Sequence, residues 1–184
     1  MIAPILKSEK VLLKPINIKE AKNYLAWFND PEVTKYLTTD GKDLNLKKER
    51  EIIKKSRLRP NEYVWGIYTS DKKHIGSTGL HKLDFKNKTA TWGISIGAKD
   101  YWDKRLGTDT LNTIIKYFFT KLKFNRLQLF VNPTNLRAIK CYQRCGLATE
   151  GIKRKAKFKN GKFNDMIMMS IIKDDYKNLK NKKK

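Results

Sequence analysis

Apolar and polar positions along the chain switch between a period of two and a period near 3.6, which predicts strands and helices in mixed order. The stretch 94–119 reads I-S-I-G-A-K-D-Y-W-D-K-R-L-G-T-D-T-L-N-T-I-I-K-Y-F-F. It opens with alternation suited to a strand and breaks at a charged turn containing Gly107. It then places Leu111, Ile114, Ile115, Phe118 and Phe119 on one face of a helix that ends near Lys123. Upstream, the pattern predicts a strand over 10–16 and a helix from about Ile18 with Ala21, Tyr24, Leu25 and Phe28 on one side. A new helix starts with Asp30 as N-cap and Pro31 in its first position. Residues 38–43 read as loop and 44–57 as a charged helix. Three strands joined by short polar turns follow, at Tyr63–Thr69, 74–83 and 89–97; the glycines at 76 and 79 point to a bulge or a close backbone approach. Beyond the central helix come a strand at Arg126–Val131, a helix at Leu136–Arg144 with Asn135 as N-cap and Gly146 as terminator, and two strands, Ala148–Lys159 and Lys162–Ile172. The last two are joined at Asn160-Gly161, a type I′ hairpin signal. The tail from Lys173 reads as a polar, basic and disordered segment, leaving one domain over 1–172.

The order β-α-α-β-β-β-α-β-α-β-β carries chemical meaning. Strands 89–97 and Arg126–Val131 are linked through a helix and so run parallel, and each feeds a helix at its C-terminal end. A strand that turns tightly into a helix leaves several backbone N–H groups without partners at the positive end of the helix dipole, which is a phosphate site. If the two parallel strands part at that end, an extended amide-bearing ligand can take the freed strand hydrogen bonds while its phosphates rest on the helix. A pantetheine arm with a diphosphate fits that description better than a mononucleotide.

Bulk properties narrow the field further. A chain of 184 residues suits one domain, and it holds no apolar run long enough to cross a membrane. The N-terminal segment lacks the apolar core of a secretory signal, and Cys141 and Cys145, four apart on a helix, read as reduced core thiols; both place the protein in the cytoplasm. Two histidines far from those cysteines give no metal-ligand spacing. The formal charge is +23, from 41 basic and 18 acidic residues. The excess is mostly lysine and runs along the whole chain, which reads as a solvated surface and leaves association with nucleic acid or the ribosome open. It disfavours polycationic substrates such as polyamines.

Three segments carry a family resemblance: A-W-F-N-D-P-E-V-T-K-Y-L (26–37), the stretch from Ile94 through Leu111, and N-L-R-A-I-K-C-Y-Q-R-C-G-L-A-T-E-G (135–151). Together the chain resembles the GNAT (GCN5-related) N-acetyltransferases, in particular the ribosomal-protein N-terminal acetyltransferase-like branch. The resemblance implies an α/β (α+β) GNAT fold, with a mixed central sheet of about seven strands splayed between the two parallel central strands and flanked by about four helices. It implies transfer of an acetyl group from acetyl-CoA to a primary amine, of a protein N-terminus or a small molecule, with no metal. Tyr142 falls on the residue that protonates the departing thiolate. Ile94, Ser95 and Ile96 fall on the strand that pairs with pantetheine. Lys104, Arg105, Leu106, Gly107 and Thr108 form the diphosphate turn, and Asn135 holds the cofactor arm or caps its helix.

Two departures stand out. In the family's Arg/Gln-x-x-Gly-x-Gly/Ala turn, Trp102 replaces the first residue and Arg105 the first glycine, so Gly107 alone remains. Thr91 stands near where related chains often carry a glutamate that activates the amine; His81 and Glu150 are weak replacements, and deprotonation through water is an equal alternative. Acetyl-CoA and an amine acceptor are the expected partners, for a monomer or homodimer. The alternative is a basic nucleic-acid-associated protein that keeps this fold without transferase activity.

Overall fold

The computed structural model describes residues 1–37 and 44–181; the loop expected at 38–43 lies outside them. Eight strands form a single sheet in the order β1-β2-β3-β4-β5-β6-β8-β7. They are β1 (Leu6–Lys7), β2 (Val11–Pro15), β3 (Tyr63–Thr69), β4 (His74–Asp84), β5 (Thr89–Ile96), β6 (Arg126–Val131), β7 (Ala148–Lys159) and β8 (Lys162–Ile172). Every neighbouring pair is antiparallel except β5 and β6. The strand beyond the expected seven is β1, two residues that pair with β2 and are too short to show any alternation.

The helices are α1 (Ala21–Phe28), α2 (Pro31–Thr34), α3 (Leu46–Leu58), α4 (Leu106–Thr120), α5 (Leu136–Arg144) and α6 (Lys173–Asn181). Side-chain caps fix several starts: Asp30 accepts from the Glu32 N–H at α2, Asn45 from Lys48 at α3 and Asn135 from Ala138 at α5. Helix α4 buries all five residues of its predicted apolar face against the sheet, in a core shared with Trp65, Ile67, Leu80, Leu127 and Met169. A smaller core joins Ile16, Ala21 and Tyr24 to Ile53 of α3. The Asn160-Gly161 turn has φ of 50° and 76°, the two positive values a type I′ turn requires.

The tail is a correction. Residues Lys173–Asn181 form α6, because Tyr176 stacks on Phe119 at 5.0 Å and Leu179 seats against Gly146. Asp175 also accepts the N–H of Ile172, which fixes the start of the helix.

One buried acid leaves an oxygen unsatisfied among the described residues. Glu49, on the inner face of α3, is 2% exposed, and its Oε2 has no hydrogen-bond partner among the described residues. Burial raises its pKa above the ordinary glutamate value. The fold therefore prefers the protonated form, and this contribution to stability is complete below the unfolded pKa of about 4.3 and is lost as pH rises through the folded value. Glu49→Gln, neutral at every pH, is expected to stabilise the protein by about 1 kcal/mol at pH 8 and to give no gain at pH 4, read from thermal melts across that range.

Candidate active site

Strands β5 and β6 pair only through Thr89–Arg126, Ala90–Leu127 and Thr91–Gln128. Past that point β5 continues to Ile96 along β4, while β6 continues to Val131 along β8, so the two parallel strands separate. An open cleft of ≈ 610 Å³ occupies the gap, between β5, the first turn of α4, α5 and the α2 segment.

The alternation of the antiparallel ladder decides which backbone groups face the cleft. Ile75 accepts from the Gly97 N–H at 3.0 Å, so the odd-numbered residues of β5 bond to β4. The peptide groups of Ile94 and Ile96 consequently face the other edge, where β6 has already left. One of these groups is engaged: the Trp102 indole N–H donates to the Ile96 carbonyl at 2.7 Å. Trp102 thus ties the turn to the end of β5, and the Arg137 guanidinium lies over its ring at 4.2 Å.

At the floor of the turn, α4 begins without a side-chain cap. Its N-cap carbonyl, on Arg105, accepts from Asp109, whereas the N–H groups of Leu106, Gly107 and Thr108 have no earlier carbonyl to bond. The acid in this first turn does not serve them, since the Asp109 carboxylate accepts from the Ser8 hydroxyl and the Lys10 N–H (3.2 Å). Arg105 meets the demand placed on a missing glycine by adopting a left-handed conformation, φ 61° and ψ 12°. Its side chain is exposed on the rim of the cleft, so the turn is not plugged. Gly107 has room for a Cβ, its nearest neighbours being Ile96 Cδ1 at 3.6 Å and Cys141 Sγ at 4.0 Å. Nothing in the protein itself demands a glycine there, and its bare surface is presented to the cleft.

Tyr142 of α5 stands at the vertex. Its ring packs edge-on against Trp92, 5.6 Å between centroids, and Trp92 is the first β5 residue beyond the last paired position. Burial, with the neighbouring Cys141 and Cys145 thiols, pushes the Tyr142 phenol well above its ordinary pKa, so it carries its proton throughout the neutral range. Trp92 is 3% exposed and its indole N–H has no partner among the described residues, an orphaned donor on the wall of the cleft.

Ile94, Ser95, Ile96, Arg105, Leu106, Gly107, Thr108, Asn135 and Tyr142 all line this cleft. Lys104 is not part of its wall; its ammonium sits over the Tyr101 ring at 5.2 Å. The Asn135 carboxamide oxygen is spent on its helix cap. Cys141, read from the sequence as a core residue, lines the cleft instead. Its Sγ lies 3.3 Å from the Thr108 hydroxyl, and Cys145, Thr108 and Arg144 lower its pKa to about 6. Trp102 and Arg137 escaped the sequence reading as site residues because their roles depend on a backbone carbonyl and a ring that only the fold brings together.

Among the described residues, neither base candidate from the sequence stands free in the cleft. Glu150 is gripped by Arg126 and Ser170, which hold its carboxyl down at about 2. His81 pairs with Glu62 at 3.4 Å, away from the cleft wall. Asp30 and Glu32 both bond the Lys99 ammonium at 2.8 Å. Thr91 accepts from Gln128 at 3.4 Å. The α2 segment is fixed over the mouth by this Lys99 pair and by Lys159, which donates to the carbonyls of Thr34 and Leu37; the Tyr36 hydroxyl reaches across to the Thr134 carbonyl at 3.3 Å.

The residues fit a CoA thioester: an uncapped helix start for the diphosphate, outward strand groups for the amides, cationic side chains at the rim and a protonated phenol at the vertex. Arg105→Glu is expected to raise the Kd for acetyl-CoA about tenfold, measured by calorimetry, because it turns a cation on that rim into an anion. Unchanged affinity would take Arg105 out of the phosphate site.

Known proteins share this architecture. The spermidine N-acetyltransferase from Vibrio cholerae, solved in complex with CoA and spermine, superposes with a TM-score of 0.84 at 22% identity, covering 93% of this chain and 100% of that one. RimL, a ribosomal L7/L12 alpha-N-protein acetyltransferase solved with coenzyme A, gives a TM-score of 0.85 at 15% identity, covering 94% and 99%. In sequence, an uncharacterized N-acetyltransferase, p20 from Bacillus licheniformis, is 27% identical over 174 residues, covering 93% of this chain and 97% of that protein. Residues 10–148 match the family described as Acetyltransferase (GNAT) domain. The chain therefore belongs to the GNAT acetyltransferase domain family, whose members transfer acetyl groups from acetyl-CoA.

Proposed function

We propose that this protein acetylates a primary amine carried on a neutral or anionic acceptor, such as a protein N-terminus or an amino sugar nucleotide, by direct transfer with Tyr142 as the acid. The observation that carries the reading is the parting of β5 and β6 after Thr91 and Gln128, directly beside Tyr142 and above the uncapped start of α4. When bound, acetyl-CoA supplies the activated acetyl thioester. The N–H groups of Leu106, Gly107 and Thr108 hold the diphosphate, and the free peptide groups of Ile94 with the Ile96 N–H hold the amide arm. Tyr142 keeps its proton on Oη and gives it to the departing sulfur. The acceptor ammonium loses its proton to water, since among the described residues each carboxylate near the mouth already has a cationic partner.

The acceptor class follows from charge. Arg105, Arg137, Arg144 and Lys35 line the cleft, whereas Asp103 leans on Arg137 at 3.8 Å and Asp30 and Glu32 share the single Lys99 ammonium. Among the described residues the cations outnumber the acids around the cleft, which disfavours a polyamine. The likeness to a spermidine acetyltransferase supports the fold and the thioester site; the paired acids argue for a different acceptor. Thiol release from acetyl-CoA is the test, across N-terminal peptides, an amino sugar nucleotide and spermidine. Spermidine is expected to be turned over at least tenfold less efficiently than the best neutral or anionic acceptor. Spermidine as the preferred substrate would overturn the acceptor assignment, and no release with any amine would overturn the transfer itself.

A further inference from the structure

The α2 wall of the cleft cannot support itself, and two lysines from distant segments hold it. Helix α2 is a single turn of four residues, too short to persist on its own hydrogen bonds. Yet Glu32, Val33, Lys35, Tyr36 and Leu37 all line the cleft, so the placing of this short segment fixes one face of the site. A helix leaves its first N–H groups and its last carbonyls without internal partners. At the N-terminal end of α2 the acids Asp30 and Glu32 share the Lys99 ammonium, each at 2.8 Å. At the C-terminal end the Lys159 ammonium donates to the carbonyls of Thr34 and Leu37, the latter at 2.8 Å. A lysine on the last carbonyls of a helix satisfies groups that the chain itself leaves open.

From this arrangement we infer that Lys159 is a positioning residue for the acceptor. It sets the wall along which the amine is presented, and it does not touch the reacting atoms. The cofactor's share of the cleft is β5, the start of α4 and α5, so α2 is the wall left to the acceptor. Burial separates the two lysines. Lys99 and Glu32 are 44% and 61% exposed, and an ion pair so open to water contributes little. Lys159 is half-buried on a strand whose other residues are mostly exposed. Its stem is also fixed, because it is the last residue of β7, pairs with Lys162 and enters the tight Asn160-Gly161 turn. Lys157 supplies the comparison. It lies two residues back on the same face of β7, and among the described residues its ammonium makes no hydrogen bond or ion pair. The functional consequence rests on the acetyl-transfer reading above; the tether itself does not.

The test compares Lys159→Met, Lys159→Arg and Lys157→Met in the full-length protein. Methionine keeps an apolar stem and deletes the ammonium, whereas arginine keeps the charge and its donors. Hydrogen exchange over residues 31–37 is read by mass spectrometry. Lys159→Met is expected to speed exchange there about tenfold, with α4 and the melting temperature unchanged. For the best acceptor of the thiol-release panel, KM is expected to rise about tenfold at unchanged kcat, with the Kd for acetyl-CoA within about twofold of the parent. Lys159→Arg is expected to restore most of both effects, and Lys157→Met to produce neither. Exchange over 31–37 as slow in Lys159→Met as in the parent overturns the inference, since α2 then stands without the tether. An equal rise in KM for Lys157→Met also overturns it, because bulk charge would then draw in the acceptor. Joint loss of melting temperature and acetyl-CoA affinity in Lys159→Met makes Lys159 a structural residue and overturns it too. If the parent acetylates no amine, the acetyl-transfer reading falls on that result, and the exchange comparison still decides the tether.

Discussion

Tyr142→Phe is expected to lower kcat for acetyl transfer by about 10²-fold or more while changing the Kd for acetyl-CoA less than threefold. General acid catalysis supplies about 10²- to 10⁴-fold in rate, and among the described residues no second hydroxyl of this kind packs against Trp92 at the vertex to replace the phenol. The ring itself is kept by the substitution, so its edge-on packing against Trp92 survives and with it the shape of the cleft. Burial already holds the phenol protonated through the neutral range, so the variant removes a donor that is always loaded. Steady-state turnover beside calorimetric binding separates the two quantities. A parallel loss of turnover and affinity would make Tyr142 a packing residue and return the acid role to solvent.

Gly76→Ala is expected to destabilise the fold by about 3 kcal/mol, at the upper end of what overpacking costs. A Cβ at this position would sit 2.1 Å from the Ser95 carbonyl oxygen and 2.9 Å from the Ile96 Cα. Both are backbone atoms of a paired strand and have no rotamer to yield. The only relief is to open the β4–β5 ladder at its far end, which carries Ile94 and Ile96 away from the cofactor. Urea unfolding should show a lower midpoint, with acetyl-CoA affinity falling alongside it. Gly107→Ala is the control: its Cβ meets no atom closer than 3.6 Å, so stability should hold while cofactor affinity drops. A Gly76→Ala protein as stable as the parent would mean that β5 is looser than its pairing implies.

These cases show what a linear sequence displays and what it hides. The helical spacing of Leu111, Ile114, Ile115, Phe118 and Phe119 announces α4 because each is apolar for a local, periodic reason, and all five are buried as that spacing requires. Asn160-Gly161 announces its hairpin because few residue pairs accept two positive φ values. The parting of β5 and β6 is legible through connection order, since parallel strands each followed by a helix leave room at their ends. Helix α6 is not, because its polar composition lacks an apolar stripe and it is held by Tyr176 on Phe119 and Leu179 on Gly146, contacts more than thirty residues apart in the chain. Arg105 shows the opposite failure. A missing glycine suggests a damaged turn, yet the backbone keeps the left-handed shape and the long side chain leaves the turn open. Single-residue motif rules describe preferred solutions, whereas the fold requires only that the conformation be reached.

The pairing of Asp30, Glu32 and Glu150 has a kinetic consequence for the proposed transfer. Among the described residues, Asp30 and Glu32 share the Lys99 ammonium and Glu150 is bound to Arg126, so none of these three carboxylates is free to act as proton acceptor. The rising limb of the rate profile then belongs to the incoming ammonium, and its inflection moves with each acceptor's own basicity. A weakly basic α-amine would be acetylated near neutrality, whereas a side-chain ammonium with an intrinsic pKa near 10.4 would stay mostly protonated there. Selectivity between those two kinds of amine would arise from solution acidity alone, without any pocket built to tell them apart.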